Sequence, residues 1–500
     1  MGPIKDTLGV EQGGMNSDSF YKLINNEQLL VSQNSALGAI LGDIIISAIG
    51  QADDVVLLSN NIFSLKNLLY LNLKYCDKYM VQLVPDKTKL QVFLPKDLYF
   101  LIDYFTSSSP LEISSQRITF SPSAEHVGVI RSPSGNLPNL LNRFRCHNRA
   151  LGAILSSGLA RKHRANPAAA LQAYNIHCVP VLMSGLSYLV LKSTEINSIS
   201  LHHKKKLLLI QKLPTGTPDP VVYFLSGSLP GRAILHLRQL SNFGMITHLS
   251  DNPIYKIAMR MLTTAKPSSS SWFLQIRDLC LQYSLPHPLV LLKNPIPKAK
   301  YKTLIKKAVQ CYWQERLCAD AASLVSLSFF RPSFMSLSKP HPLWATASSN
   351  PYEVNKAVVQ AKMLSGRYRT ESLSRFWSNN PNGFCILSNC LGNAQKEDII
   401  HILVTCPSLS SKRTRLKDFF HSYSRKNPVI ENSINSFFES KVPQYQTQFL
   451  LDCSVIPEVV LLRQNLGLGI LSSLFYLTRT WCYSLHRERL RQLGRWNLDY

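Results

Sequence analysis

Two adjacent acids between two short apolar runs place the tightest constraint on what this chain can fold into. Asp53 and Asp54 lie between Ile44–Ile46 and Val55–Leu58, and Gly50 separates the two runs. Both runs are short and rich in β-branched residues, and a glycine lies between them. This pattern predicts a buried hairpin with the acids at its turn. Burying two carboxylates is costly unless a cation or a nucleic acid compensates their charge. An isolated acid pair is more often a solvated turn, so the flanking sequence has to decide.

The flanking segments form an ordered set of motifs. A glycine-rich segment precedes the acids, a lysine-bearing turn follows them, and a Gly-Val segment comes later: Gly9–Ser17, Pro85–Lys89 and Glu125–Val129. Together with Gln51–Ser59, these segments resemble four successive motifs of the reverse transcriptases of non-LTR, LINE-like retrotransposons. Four motifs in family order are far more specific than one acid pair. The chain is therefore expected to be the C-terminal portion of such a reverse transcriptase.

The resemblance implies roles for individual residues. Asp53 and Asp54 would hold Mg²⁺ for two-metal phosphoryl transfer, and Lys87 would act near the leaving pyrophosphate as a cation or an acid. The nucleotide and template would be bound by Gln12, Gly13, Gly14 and Gln51, and the primer by the hairpin residues His126, Val127 and Gly128. The implied partners are an RNA template, in particular the element-encoded RNA, and a DNA primer or duplex.

Several positions depart from the family pattern. Glu11 stands where the family has arginine, and Gln51 stands where it has an aromatic residue. The family also takes one metal-binding aspartate from an apolar strand upstream of the glycine motif, and nearby acids such as Asp43 lack that context. Two hypotheses stay open. The chain is an RNA-directed DNA polymerase truncated before its first catalytic aspartate motif and inactive alone, or it is a non-catalytic nucleic-acid-binding remnant.

The charge and the helical segments favour a nucleic-acid partner under either hypothesis. The chain has 55 Lys and Arg against 30 Asp and Glu, a formal net charge of +25, and such an excess favours a polyanionic partner. The pattern predicts a long helix over Lys298–Ala322 with phosphate-binding lysines, among which Tyr301 and Trp313 would offer aromatic faces. A solvated charged face is the alternative. The pair His202–His203 is expected to be a solvated helix start rather than a metal site.

A second strong signal lies in the C-terminal segment. Cys385, Cys390, His401 and Cys406 form the pattern Cys-x4-Cys-x10-His-x4-Cys. Three thiolates and one imidazole are the ligand set of a closed structural Zn²⁺ site, and the last two ligands fit a helix that loosens before Pro407. The order is similar to the zinc knuckle after the thumb of many LINE-like reverse transcriptases, although that family usually spaces the first pair by two or three residues. Unliganded buried cysteines are the alternative.

The expected fold class is α+β, with an incomplete polymerase palm followed by a mainly helical thumb and a helical C-terminal region that bears the zinc knuckle. The expected domains are a palm with the primer-grip hairpin at 1–132, a thumb at 133–266, a basic helical connection at 267–350 and the C-terminal region at 351–500. Stretches rich in Pro and Ser at 266–271 and 331–351 predict breaks. No apolar run reaches the roughly 18 residues of a membrane span, and scattered cysteines argue against a disulfide framework. We therefore expect a nuclear and cytoplasmic protein that is neither secreted nor bound to membranes.

Overall fold

The structure is a computed structural model, and it describes residues 17–51, 54–94, 98, 111–156, 166–348, 350–375, 380–391, 394–466 and 468–495. The described part of the chain is mostly helical, with 64% helix against 7% strand. Every strand of the described chain lies between Ala39 and Arg131. The fold is therefore compatible with the α+β class, with a strong helical bias, while the palm and thumb assignments stay predictions.

Within the described ranges, the strands form five two-stranded sheets. They are β1 (Ala39–Leu41), β2 (Ile44–Ile46), β3 (Ala48–Gln51), β4 (Asp54–Leu57), β5 (Lys89–Leu90), β6 (Glu112–Ile113), β7 (Gln116–Arg117), β8 (Thr119–Phe120), β9 (Ala124–His126) and β10 (Val129–Arg131). The pairs β1–β2, β3–β4, β6–β7 and β9–β10 are antiparallel, and β5–β8 is parallel.

Helices account for most of the remaining described chain. The first group is α1 (Ser17–Asn34), α2 (Ile62–Tyr79), α3 (Leu137–Ile154), α4 (Pro167–Ala173), α5 (Val179–Met183), α6 (Ser193–Gln211), α7 (Asp219–Ser226), α8 (Gly231–Ile246), α9 (Pro253–Thr264), α10 (Trp272–Gln282) and α11 (Pro288–Lys293). The second group is α12 (Lys298–Ala322), α13 (Pro342–Ala345), α14 (Pro351–Leu364), α15 (Glu371–Ser374), α16 (Ser410–Arg425), α17 (Pro428–Glu439), α18 (Pro443–Leu451), α19 (Pro457–Leu466) and α20 (Leu468–Gln492). Within the described residues, each of these helices is too short or too polar to span a bilayer.

The hairpin that carries the predicted acids is paired differently from the prediction. The expected partner of Val55–Leu58 was Ile44–Ile46, but β4 pairs with β3, with Gln51 opposite Asp54. Ile44–Ile46 pairs instead with β1. Pairing with the nearest upstream residues closes a shorter loop and so costs less chain entropy. The strand residues of β4 are half-buried and Asp54 is exposed, so the expected burial of its carboxylate is wrong.

The chain folds into two compact units, each assembled from separate stretches of sequence. The first comprises Met1–Arg143, Ser184–Leu191 and Arg238–Thr303, and the second comprises Phe144–Met183, Lys192–Leu237 and Leu304–Tyr500. The core of the first unit joins α2 to the short strands through Leu69, Leu90, Leu111, Ile113 and Ile118. The first unit therefore holds the described part of the predicted palm.

The second unit is helical around an aromatic core. The ring of Phe420 on α16 lies 5.2 Å from that of Trp481 on α20, and the ring of Phe437 on α17 lies 5.0 Å from that of Phe449 on α18, centroid to centroid. All four side chains are buried. These helices form the support on which the predicted zinc ligands lie.

The stretch 331–351 is part of this packing, and the prediction of a break there is wrong. Trp344 on α13 is fully buried and donates from Nε1 to Gln211 Oε1 at 3.2 Å. His341 caps the same helix, since its Nδ1 accepts from the Leu343 N–H at 3.2 Å. Proline fits the first turn of a helix, so a proline-rich stretch with apolar residues forms a short packed helix here. The other predicted break, 266–271, does lie in a loop between α9 and α10.

Candidate metal centre

Two local structures position the first pair of ligands. Cys385 follows a β-bridge between Phe384 and Lys396, and its N–H donates to the Gln395 carbonyl at 2.8 Å. Cys390 ends a 3-10 turn, Ser388–Cys390. The bridge holds the Cys385 segment against the segment that leads to the other two ligands.

The second pair of ligands lies on a widened helical turn. A π-helix spans His401–Thr405, and the Cys406 N–H donates to the His401 carbonyl at 2.7 Å. In an α-helix, residues five apart point about 140° apart, whereas a turn closed by an i→i+5 hydrogen bond brings them closer to one direction. The Asp398 carboxylate caps this turn by accepting from the His401 N–H at 2.7 Å. The predicted loosening before Pro407 is therefore present.

The four ligand atoms lie close enough for one ion. All of them are within 4.8 Å of one another, and all four residues are buried. Cys390 Sγ lies 3.5 Å from Cys406 Sγ and 3.6 Å from His401 Nε2. Bonds of about 2.3 Å to sulfur and about 2.1 Å to nitrogen with tetrahedral angles require sulfurs about 3.8 Å apart and a sulfur–nitrogen separation of about 3.6 Å. The cluster could therefore bind a Zn²⁺ ion, as predicted.

The charge state of the cysteines also suits a metal. Hydrogen bonding by the Cys385 thiol, followed by that of His401 and Cys390, lowers the pKa of Cys406, although burial opposes this. The same hydrogen bond, together with burial, raises the pKa of Cys385. Zinc binds thiolates and releases their protons, so a lowered pKa of Cys406 favours the form that the ion requires.

Neighbouring polar groups orient the ligands. Thr405 Oγ1 lies 3.4 Å from His401 Nδ1, which leaves Nε2 for the ion. Ser408 Oγ donates to Cys390 Sγ at 3.7 Å, and Arg413 Nη2 donates to the Cys406 carbonyl at 2.6 Å. Burial lowers the pKa of Arg413, and its electrostatic interaction with Cys406 and Cys390 opposes this. The Arg413 guanidinium therefore interacts with two of the three cysteines, Cys406 and Cys390.

The residues predicted for polymerase chemistry are only partly described. Asp53, Gln12, Gly13 and Gly14 lie outside the described residues. Gln51 and Asp54 are the last opposed pair of β3 and β4, as predicted for a hairpin tip, and both are exposed.

The described residues add no support for the predicted Mg²⁺ site. Lys87 is exposed in a turn where its N–H donates to the Val84 carbonyl at 3.2 Å. Asp43, at the turn between β1 and β2, has its Oδ1 2.8 Å from Arg260 Nη1. Apart from the Cys-Cys-His-Cys cluster, no group of three metal-binding side chains comes together in the described part of the chain.

The predicted primer-grip segment does form a hairpin. His126 of β9 lies opposite Val129 of β10, and the two residues between them, Val127 and Gly128, have φ angles of 50° and 71°. Two successive positive φ angles define a tight turn whose twist matches that of the strands. Arg143 donates from Nη2 to the Gly128 carbonyl. Binding of a primer there stays a prediction.

The histidine pair is not a solvated helix start. Helix α6 begins at Ser193, and His203 in its middle is fully buried. His203 Nδ1 lies 2.8 Å from the Tyr174 hydroxyl and its Nε2 lies 3.2 Å from the Leu229 carbonyl, so both nitrogens are satisfied and the ring can be buried. The neighbouring His202 is half-buried, with Nε2 3.0 Å from His147 Nδ1.

Two aromatic residues of α12 also differ from the expectation. Tyr301 and Trp313 are buried, so their rings pack inside the protein instead of facing a nucleic acid. The lysines of the same helix are exposed, as predicted: Lys298, Lys300, Lys302, Lys306 and Lys307.

No protein-family model matches this chain, and no curated protein matches it. The geometry of the metal centre itself is that of a buried Cys-Cys-His-Cys cluster able to hold one zinc ion.

Proposed function

We propose that this chain is a nucleic-acid-binding protein derived from a non-LTR retrotransposon reverse transcriptase, with a C-terminal region that a Zn²⁺ ion stabilises. The observation that carries the proposal is the convergence of Cys385, Cys390, His401 and Cys406 within 4.8 Å. A cluster in this order after the four palm-like motifs is what the resemblance implies.

The zinc ion would be structural. Four protein side chains fill a tetrahedral coordination sphere and leave no position for a substrate. The ligands come from a bridge, a 3-10 turn and a π turn, none of which is long enough to be stable by itself in water. The ion would therefore supply much of the folding energy of this segment.

The exposed lysines of α12 support nucleic-acid binding. Lys298, Lys302 and Lys306 are spaced by four residues and share one helix face. No acid occurs between Lys298 and Gln310, and none of these lysines pairs with a carboxylate in the described residues. Cations at a helix N-terminus oppose the helix dipole. A polyanion would relieve this repulsion, and release of its counterions would drive the binding.

The proposal is tested by measuring binding of a labelled RNA and a labelled DNA duplex across a salt series. If about six phosphates of a duplex are contacted, the slope of log K against log salt should be near −5. The variant with Lys298, Lys302 and Lys306 changed to Gln should flatten that slope by about 2 to 3, since each contact contributes about 0.9.

The matched control removes three exposed cations that already pair with acids, namely Lys78, Arg117 and Arg491. It has the same net charge as the α12 variant, so it should bind more tightly than that variant. An equal loss of affinity in both variants would show that only the net charge matters for binding. Absence of binding at low salt would contradict the proposal.

A second candidate is RNA-directed DNA synthesis. The observation that favours it is the placement of Asp54 at the end of a tight hairpin. Mg²⁺ chemistry of this type requires ligands that fix two ions. Primer extension on a primed RNA template tests it.

A further inference from the structure

A buried ion pair lies next to the candidate zinc ligands. Glu397 is fully buried, and its Oε1 accepts from Arg489 Nη2 at 2.6 Å and from the Glu371 N–H at 2.9 Å. Arg489 lies on α20 and is itself almost fully buried. Burying such a pair costs desolvation energy, and the attraction between the two charges often does no more than offset that cost. Stability alone therefore does not explain why the pair is buried here.

The backbone of Glu397 lies between the two ligand-bearing segments. Its N–H donates to the Gly383 carbonyl at 2.9 Å, two residues before Cys385. Its sequence neighbour Asp398 caps the turn that carries His401. A displacement of Glu397 would therefore move the Cys385 and His401 segments relative to each other.

Helix α20 contacts the ligand segments on both sides of this ion pair. Trp481 Nε1 donates to the Leu403 carbonyl at 3.2 Å, within the π turn. Gln492 Nε2 donates to the Ser408 carbonyl at 3.1 Å, and Ser408 Oγ donates to Cys390 Sγ. The helix thus follows the cluster over three turns, with Arg489 between the two outer contacts.

We infer that Glu397 and Arg489 are positioning residues of the zinc site, which fix the ligand segments against α20 and so couple metal binding to the docking of that helix. This inference rests on the proposed zinc binding. Partners beyond the ligands that hold them in place typically change metal affinity by about 10- to 100-fold when they are removed. The Glu397–Arg489 pair acts on the ligands through backbone contacts, so the same range applies.

The simpler alternative is an ion pair that stabilises the fold without affecting the metal. The second unit contains a suitable control, because Glu353 and Lys356 on α14 also form a largely buried ion pair, with Oε1 and Nζ 2.7 Å apart. Lys356 of this pair donates to Thr480 of α20, and within the described residues neither side chain is hydrogen-bonded to the ligand segments. Glu353→Gln therefore removes a comparable ion pair without touching the cluster.

The experiment measures the zinc affinity of the full chain by competition with a chelator. Glu397→Gln should weaken zinc binding by about 10- to 100-fold, and Glu353→Gln, whose ion pair bonds to α20 but to no ligand segment, should weaken it much less. The absorption spectrum of bound Co²⁺ should keep its thiolate bands in Glu397→Gln, since all four ligands remain.

Three results would overturn the inference. Unchanged zinc affinity in Glu397→Gln would show that the carboxylate does not position the ligands. Equal weakening in Glu397→Gln and Glu353→Gln would show a general effect of stability. A wild-type chain that takes up no zinc would overturn the proposed zinc binding as well, so the two failures are distinguishable.

If Glu397→Gln does not fold, hydrogen exchange of the wild-type chain measures the same coupling. Zinc removal should raise deuterium uptake in residues 481–492 of α20 together with the ligand segments. Increased uptake confined to the ligand segments would overturn the inference.

Discussion

Buried histidines make the second unit sensitive to acid. Burial lowers the pKa of His147 to about 3 and that of His203 to about 4, whereas a histidine in an unfolded chain titrates near 6.5. The unfolded state therefore binds more protons between these values, and the stability contribution is fully present above about pH 6.5 and lost as the pH falls toward about 4. Urea unfolding across this range should show the decrease.

Zinc release at low pH would produce a similar decrease, so the measurement needs two variants. His147→Leu should flatten the pH dependence, because it removes one of the groups that protonate on unfolding. Cys406→Ser, which removes a zinc ligand, should keep the histidine part of that dependence. A pH dependence that is unchanged in His147→Leu would contradict the assignment.

Loss of one ligand tests the metal centre directly. Cys406→Ser should lower the zinc content of the purified full chain to near zero and destabilise residues 385–406, since the ion supplies folding energy there. Metal analysis of the wild type and the variant measures this. Cys318→Ser, at a half-buried cysteine outside the cluster, is the control and should keep its zinc. Equal zinc in Cys406→Ser and the wild type would contradict the site.

The sequence predicted the metal ligands because three cysteines and a histidine lie within one short window, and this combination of residue types is rare. It was less informative about which polar rings are buried. Tyr301, Ile305, Val309 and Trp313 recur every four residues and are all buried, so the helical period contained the signal. The lysines between them lie on the exposed part of the helix. The stripe of Ile199, His203 and Leu207 has the same spacing, and a neutral imidazole with both nitrogens paired packs like an apolar ring.

The turn between β9 and β10 carries strain that can be removed. Val127 has a φ of 50° and is exposed, and a β-branched residue rarely adopts this conformation. Asn-Gly is the preferred pair for a turn with two positive φ angles. Val127→Asn should therefore raise the free energy of unfolding by about 1 kcal/mol, as measured by urea denaturation.

The neighbouring glycine provides the opposite change. Gly128 has a φ of 71°, and Gly128→Ala places a Cβ in a conformation that it disfavours. It should destabilise the protein. If both variants destabilise it, the strain assigned to Val127 is contradicted.

Helix bounds followed from the sequence more closely than strand pairing did. The predicted helix over Lys298–Ala322 has those bounds in the structure, because i to i+4 periodicity is contained in a continuous stretch. The choice between β2 and β3 as the partner of β4 is a choice between two apolar segments of similar composition. Composition does not distinguish them, and the shorter loop decided it.

DNA synthesis by the whole chain is expected to be undetectable. Two-metal chemistry needs ligands that fix both ions, and within the described residues Asp54 is exposed and belongs to no cluster of three metal-binding side chains. Primer extension on a primed RNA template with Mg²⁺ or Mn²⁺ is the measurement. Extension that disappears in Asp53→Ala would contradict this prediction, and a viral reverse transcriptase serves as the positive control.

The interleaved course of the chain through its two units has a consequence for synthesis on the ribosome. The first unit draws on residues up to Thr303 and the second on residues from Phe144 onward. The early segments therefore stay incompletely packed until the later ones have been translated. Apolar surface that is exposed in such intermediates promotes aggregation. Holdase chaperones should bind nascent chains stalled between residues 144 and 303 more than finished ones.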